Sequence, residues 1–94
     1  MNLTYTANAL CAVEEKLGKS LVSILAELEL EEGASLTTLR ALVAAGRHGA
    51  MYAAMPATFL DEHTAGRLID EHGAASCSGA VGKALKTYFE RGAE

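Results

Sequence analysis

The chain has 94 residues, half of them apolar but only 5% aromatic, with one proline, two cysteines and a formal charge of −4. That length suits one domain with a modest core and leaves little room for a catalytic cavity and its supporting shell. The acidic balance disfavours a phosphate backbone as ligand, Cys11 and Cys77 are too far apart for a zinc pattern and too few for a disulfide framework, and no run reaches the roughly 18 apolar residues of a membrane span.

Ala and Leu dominate the apolar share, and both are strong helix formers, so the composition points to an all-α domain. Residues 1–6 read as a short extended lead-in, with Leu3 and Tyr5 in weak strand-like alternation. A first helix is predicted from Ala7 to Leu17. Thr6 or Asn8 is placed to cap it, Leu10, Val13 and Leu17 form its buried stripe, and Gly18 suits a left-handed stop. Glu14 and Glu15 lie beside that stripe and are expected to face water. Ser20 opens a second helix whose Leu21, Ile24, Leu25 and Leu28 follow the core-face spacing.

The acidic run from Glu27 to Glu32 and Gly33 close that helix. Positions 1–32 hold six acids against two lysines, whereas positions 33–94 are balanced at six and six. The acidic run reads as a solvated helix end, or as a patch that attracts a basic partner. Ser35 caps a third helix with one apolar face of Leu36, Leu39, Leu42, Val43, Gly46 and Ala50. Gly46 and Gly49 each weaken a helix by about 1 kcal/mol relative to Ala, so they either admit a neighbouring helix or mark a break. Pro56 stops what remains. Asp61 caps a fourth helix with Ala65, Leu68 and Ile69 inward and Gly73 as its end. A fifth follows Ser76 or Ser78, with Val81, Leu85, Tyr88 and Phe89 as its stripe and Gly92 as its stop. The expected fold is a compact all-α bundle of about five short helices in a single domain spanning 1–94.

Catalytic and metal chemistry find no support in these spacings. His63 and His72 are nine residues apart, on opposite sides of a helix. The stretch DEHTAGRLIDEH places His63, Ala65 and His72 where a calcium loop needs oxygen ligands. Cys77 lies near a helix start, where the dipole can lower a thiol pKa, but both thiols read as free and buried in a reducing compartment. Glu14 and Glu15 point about 100° apart and share no cleft. The glycines of GAASCSGAVG lack the lysine and preceding strand of a phosphate loop. No cofactor and no metal is expected. Cys11→Ser and Glu14→Gln are expected to leave function nearly intact. The N-terminus shows no signal-peptide pattern, and a cytoplasmic location is expected.

The segment GAMYAAMPATFL gathers Met51, Tyr52, Met55, Phe59 and Leu60 around a helix end. Methionines adapt to irregular surfaces, so this cluster either closes the core under a loop or forms a binding groove. Arg40 and Arg47, seven residues apart on one side of the third helix, either flank such a surface or face solvent.

Four pieces taken in order, LTYTANALCAVEEKLGKS, SLTTLRALVAAG, HTAGRLIDEHG and AVGKALKTYF, resemble the small tail-assembly proteins of siphophage-like prophages and gene transfer agents. Such proteins read as an asparagine–alanine helix ending in Leu-Gly, a Leu-Arg helix ending in Ala-Gly, an Ala-Gly-x-Leu-Ile-Asp helix closed by Gly, and a last Ala-rich helix with a terminal aromatic. The chain departs from them twice. Only MNLTYT stands where many carry a β-hairpin, and RHGAMYAAMPATFLDEH is longer and more apolar than the usual link. The resemblance implies a non-enzymatic tail assembly chaperone or adaptor that acts in the bacterial host cytoplasm. Its partners would be the tape-measure protein, the tail tube protein or both, with no nucleic acid and no membrane. A tape measure is long, helical and apolar-striped, and an apolar groove covers such a stripe by helix docking, with the acidic patch adding steering. The surface singled out for this is Met51, Tyr52, Met55 and Phe59, with Arg40 and Arg47 at its margin. The alternatives are a structural tail tube-associated component retained in the particle and a small helical regulator; the latter would want a basic face that the chain lacks.

Overall fold

Thr6 is extended (φ −125°, ψ 159°), and its hydroxyl accepts the Ala9 N–H at 3.1 Å, which starts helix α1, Ala7–Leu17. Gly18, at φ 64°, ends it in the left-handed region, where its N–H returns to the Glu14 carbonyl. The Ser20 hydroxyl accepts the Ser23 N–H and opens α2, Leu21–Glu29. The Ser35 hydroxyl accepts the Thr38 N–H and opens α3, Leu36–Tyr52. Asp61 accepts the Thr64 N–H at 3.0 Å and opens α4, Glu62–His72, and a single glycine, Gly73 at φ 86°, separates α4 from α5, Ala74–Gly92. These elements come from a computed structural model that describes residues 2–29, 35–52 and 60–92, the side chains of Tyr52 and Gly92 excepted. The fold is all-α, with five helices and no strand among the described residues.

The third helix is the centre. It packs against α1, α4 and α5, and α4 packs on α5. Residues Ala41 to Gly46 are all buried, so this stretch has no solvent face at all. The expected single apolar face is therefore too narrow: an apolar run with no polar side belongs to a helix enclosed by neighbours. Leu36 was placed in that face and instead is 65% exposed, because it is the first residue of α3, ahead of the part the other helices cover. The rest of the helical core is Ala9, Leu10 and Val13 from α1, Ile24 from α2, Leu39 from α3, Ala65 and Ile69 from α4, and Cys77, Val81 and Leu85 from α5, and Leu60, ahead of α4, is buried with them.

The lead-in completes this core. Tyr5 is buried and its phenol donates to the Leu42 carbonyl at 2.6 Å, while the Thr4 N–H donates to the Gly46 carbonyl at 3.0 Å. Leu3 and Tyr5 thus both engage α3, which accounts for their alternation without any strand. The two α3 glycines serve this contact rather than a neighbouring helix or a break. A Cβ at Gly46 would sit 2.9 Å from Leu3 Cβ, and one at Gly49 would collide with the Thr4 carbonyl.

The fifth helix begins at Ala74, ahead of the expected Ser76 or Ser78. The Gly73 carbonyl accepts the Cys77 N–H, so one glycine ends one helix and starts the next. Phe89 was placed in the buried stripe but is 42% exposed, resting edge-on against Tyr88 with ring centroids 5.4 Å apart.

Candidate interaction surface at the α3–α4 edge

The two arginines singled out in α3 both reach the start of α4. Arg40 Nε lies 3.0 Å from Glu62 Oε2, and Arg47 Nη1 lies 3.9 Å from Asp61 Oδ2. Their seven-residue spacing puts them on one side of α3, and the two successive acids hold them there. Asp61 also caps α4, taking the Thr64 N–H and, at 2.7 Å, the Thr64 hydroxyl. Those hydrogen bonds, with Arg47 close by, hold its carboxyl below the usual aspartate range.

Arg47 also fixes the approach to Met51. Its Nη2 lies 3.7 Å from the Met51 sulfur, and Met51 is 56% exposed. Of the expected surface, then, Arg47 and Met51 stand together at the end of α3 and Arg40 stands two turns earlier. Tyr52 is the last residue of α3; its side chain, Met55 and Phe59 lie outside the described residues. Arg40 borders a separate groove of about 400 Å³ between α3 and α4, whose walls include Leu36, Gly66, Arg67, Ile69 and Asp70.

Glu62 is a connection that the sequence reading did not identify. Its nearly covered carboxylate pairs with Lys16 of α1 as well as with Arg40, so one side chain joins α1, α3 and α4. It also stands in the first turn of α4, where an acid complements the helix dipole.

Two acids expected at the solvent turn out to be structural. The Glu14 carboxylate accepts the Leu21 N–H at 2.6 Å, so a residue of α1 caps α2. It faces the next helix rather than open water because the Gly18 turn folds α2 back towards it. Glu27 receives Lys19 Nζ at 2.9 Å, the Ser35 N–H at 3.0 Å and the Thr38 hydroxyl at 3.1 Å. Its carboxyl is held at about 2, chiefly by the Ser35 amide and then by Lys19 and Thr38. Glu27 is therefore withdrawn from the acidic patch, of which Glu29 is exposed and Glu31 and Glu32 lie outside the described residues.

The Glu14 contact separates two substitutions. Glu14→Gln keeps an acceptor oxygen for the Leu21 amide and is expected to change stability little. Glu14→Ala is expected to cost about 1 kcal/mol, the usual loss for a removed cap. Urea melts of the two variants check this, and equal midpoints would show that the contact carries no weight.

Both thiols are free, and one of the two departs from the expected burial. Cys11 is exposed on α1. Cys77 is buried and its Sγ lies 3.8 Å from the Leu68 carbonyl. Its burial, which the sequence reading favoured, pushes the Cys77 thiol up. Among the described residues no group of three or more His, Cys, Asp or Glu side chains is placed to hold a metal ion, and no helix is long and apolar enough to cross a membrane. Compared with protein-family models, curated proteins and solved structures, the chain matches none.

Proposed function

We propose that this chain is a non-catalytic chaperone or adaptor of phage-like tail assembly, which binds the tape-measure protein, the tail tube protein or both in the cytoplasm of a bacterial host. The order of the four sequence pieces supports the assignment to tail assembly. The single structural observation that supports a binding role is Met51, a large flexible apolar side chain 56% exposed at the end of the central helix. Arg47 lies 3.7 Å from its sulfur and 3.9 Å from Asp61, which gives this surface a polar margin. A helical partner would lay its apolar stripe on Met51 and the neighbouring apolar segment and leave Arg47 to a rim carboxylate.

Co-expression with fragments of a tape-measure protein tests the surface. Met51→Asp, alone and with Met55→Asp, is expected to abolish pull-down, with at least about a 30-fold loss of affinity, the effect of truncating a central anchor. The helical circular dichroism should stay unchanged. Pull-down and fragment solubility equal to the wild type would rule this surface out.

A further inference from the structure

The fifth helix carries a second organised stripe beside its buried one. Cys77, Val81 and Leu85 face the core. Ala80, Lys83, Ala84, Thr87, Tyr88 and Arg91 recur at intervals of three and four, so they make one continuous row along the helix. All six line a groove of about 270 Å³ whose other wall is the lead-in from Asn2 to Tyr5. That volume takes the side chains of a few residues, not a whole helix, which is about 10–12 Å across.

The charge of the groove has one sign. Lys83 and Arg91 are its cations, and among the described residues no Asp or Glu lines it. Like Arg67, neither cation has an ion-pair partner among the described residues, whereas Lys16, Lys19, Arg40, Arg47 and Lys86 each have a carboxylate. On a chain of net charge −4 this is a local reversal. Between the cations the floor is Ala84, Thr87 and Tyr88, with Leu3 on the lead-in wall.

Spacing narrows the occupant. Eight helical residues separate Lys83 from Arg91, about 12 Å along the axis. Four residues of extended chain cover about 13 Å, and the middle one points to the same side as both ends. We propose that the groove binds an extended acidic segment of another protein, with two carboxylates four residues apart reaching Lys83 and Arg91 and an apolar side chain between them on Leu3, Ala84 and Tyr88. This site is separate from the Met51 surface and does not depend on the tail-assembly reading.

Fluorescein-labelled peptides on the full chain test it: GGEALAEGG, its neutral counterpart GGQALAQGG and its basic counterpart GGKALAKGG. The acidic peptide is expected to bind at least about fivefold tighter than the neutral one, since each exposed ion pair adds only a little, and to weaken with salt. The double variant Lys83→Glu, Arg91→Glu should reverse the order and prefer the basic peptide. Both side chains are exposed, so the fold should survive, with unchanged circular dichroism as the control. No binding of the acidic peptide at millimolar concentration, equal binding of acidic and neutral peptides, or an unreversed preference in the double variant would each overturn the proposal.

Discussion

Tyr5→Ala is expected to lower the stability of this domain by about 3–5 kcal/mol, the range for removing a buried aromatic ring. The residue stands ahead of the first helix, yet it is 2% exposed and its phenol is bonded to the carbonyl of Leu42 in the middle of α3. A domain of this kind is stable by only about 5–15 kcal/mol, so the loss removes a large part of the whole. Tyr5→Phe keeps the ring and forgoes one hydrogen bond, and should cost about 1 kcal/mol. Urea unfolding reads both, as a fall in midpoint at unchanged slope. A Tyr5→Ala midpoint equivalent to less than about 1 kcal/mol would mean that the lead-in does not belong to the core.

Gly49 gives an independent reading of the same contact. In an ordinary helix interior, Gly→Ala stabilises by about 1 kcal/mol. Here the new Cβ meets the Thr4 carbonyl, so Gly49→Ala should destabilise the full chain. Once residues 1–5 are deleted the obstruction is gone, and the same substitution should stabilise what remains. A change of sign between the two backgrounds is the mark of a lead-in seated on α3.

Glu27→Ala is the second substitution with a large expected effect, about 2–3 kcal/mol, because it removes charge-assisted hydrogen bonds to three partners at once. Lys19 lies between α1 and α2, and Ser35 and Thr38 form the start of α3, so this carboxylate joins both ends of α2 to their neighbours. Ile24 is the one fully buried side chain of α2, and the polar ties therefore matter more here than elsewhere. The same group gives an acid signature. Its carboxyl sits at about 2 in the folded chain against an ordinary 4.5, so the unfolded chain binds more protons between those values. The stability it contributes is complete above about pH 4.5 and is lost as the pH falls towards 2. Glu27→Gln should flatten that acid limb, and an unchanged limb would show that the three partners do not act on the ionised form.

Most helix boundaries were legible because their causes are local; the start of α5 was not, since Gly73 was read only as the end of α4. Thr6, Gly18, Ser20, Ser35, Asp61 and Gly73 act within a few residues of themselves, and each stands where its chemistry predicts. What escaped the sequence was whatever depends on a distant partner. Glu14, Glu27 and Glu62 look alike as helical acids, and only the arrival of Leu21, Ser35, Lys16 or Arg40 makes them structural. Gly46 and Gly49 signalled close approach but not by what, since periodicity describes a helix face and not the segment laid across it. The burial of α3 on every side was present in the unbroken run Ala41 to Gly46, which carries no polar residue. At the candidate surface, the shared side of Arg40 and Arg47 followed from spacing, while their anchoring by Glu62 and Asp61 needed the fold. The cationic groove on α5 went unread because the buried stripe beside it accounts for the same helix.

The most direct test of the proposed function is to express a tape-measure protein with and without this chain, and to measure how much of it stays soluble and co-purifies. The expected result is a soluble complex that forms with the wild-type chain and without nucleotide or metal. A tape-measure protein that remains equally insoluble in both cases, with none of this chain bound and no tail tube protein captured in its place, would contradict it.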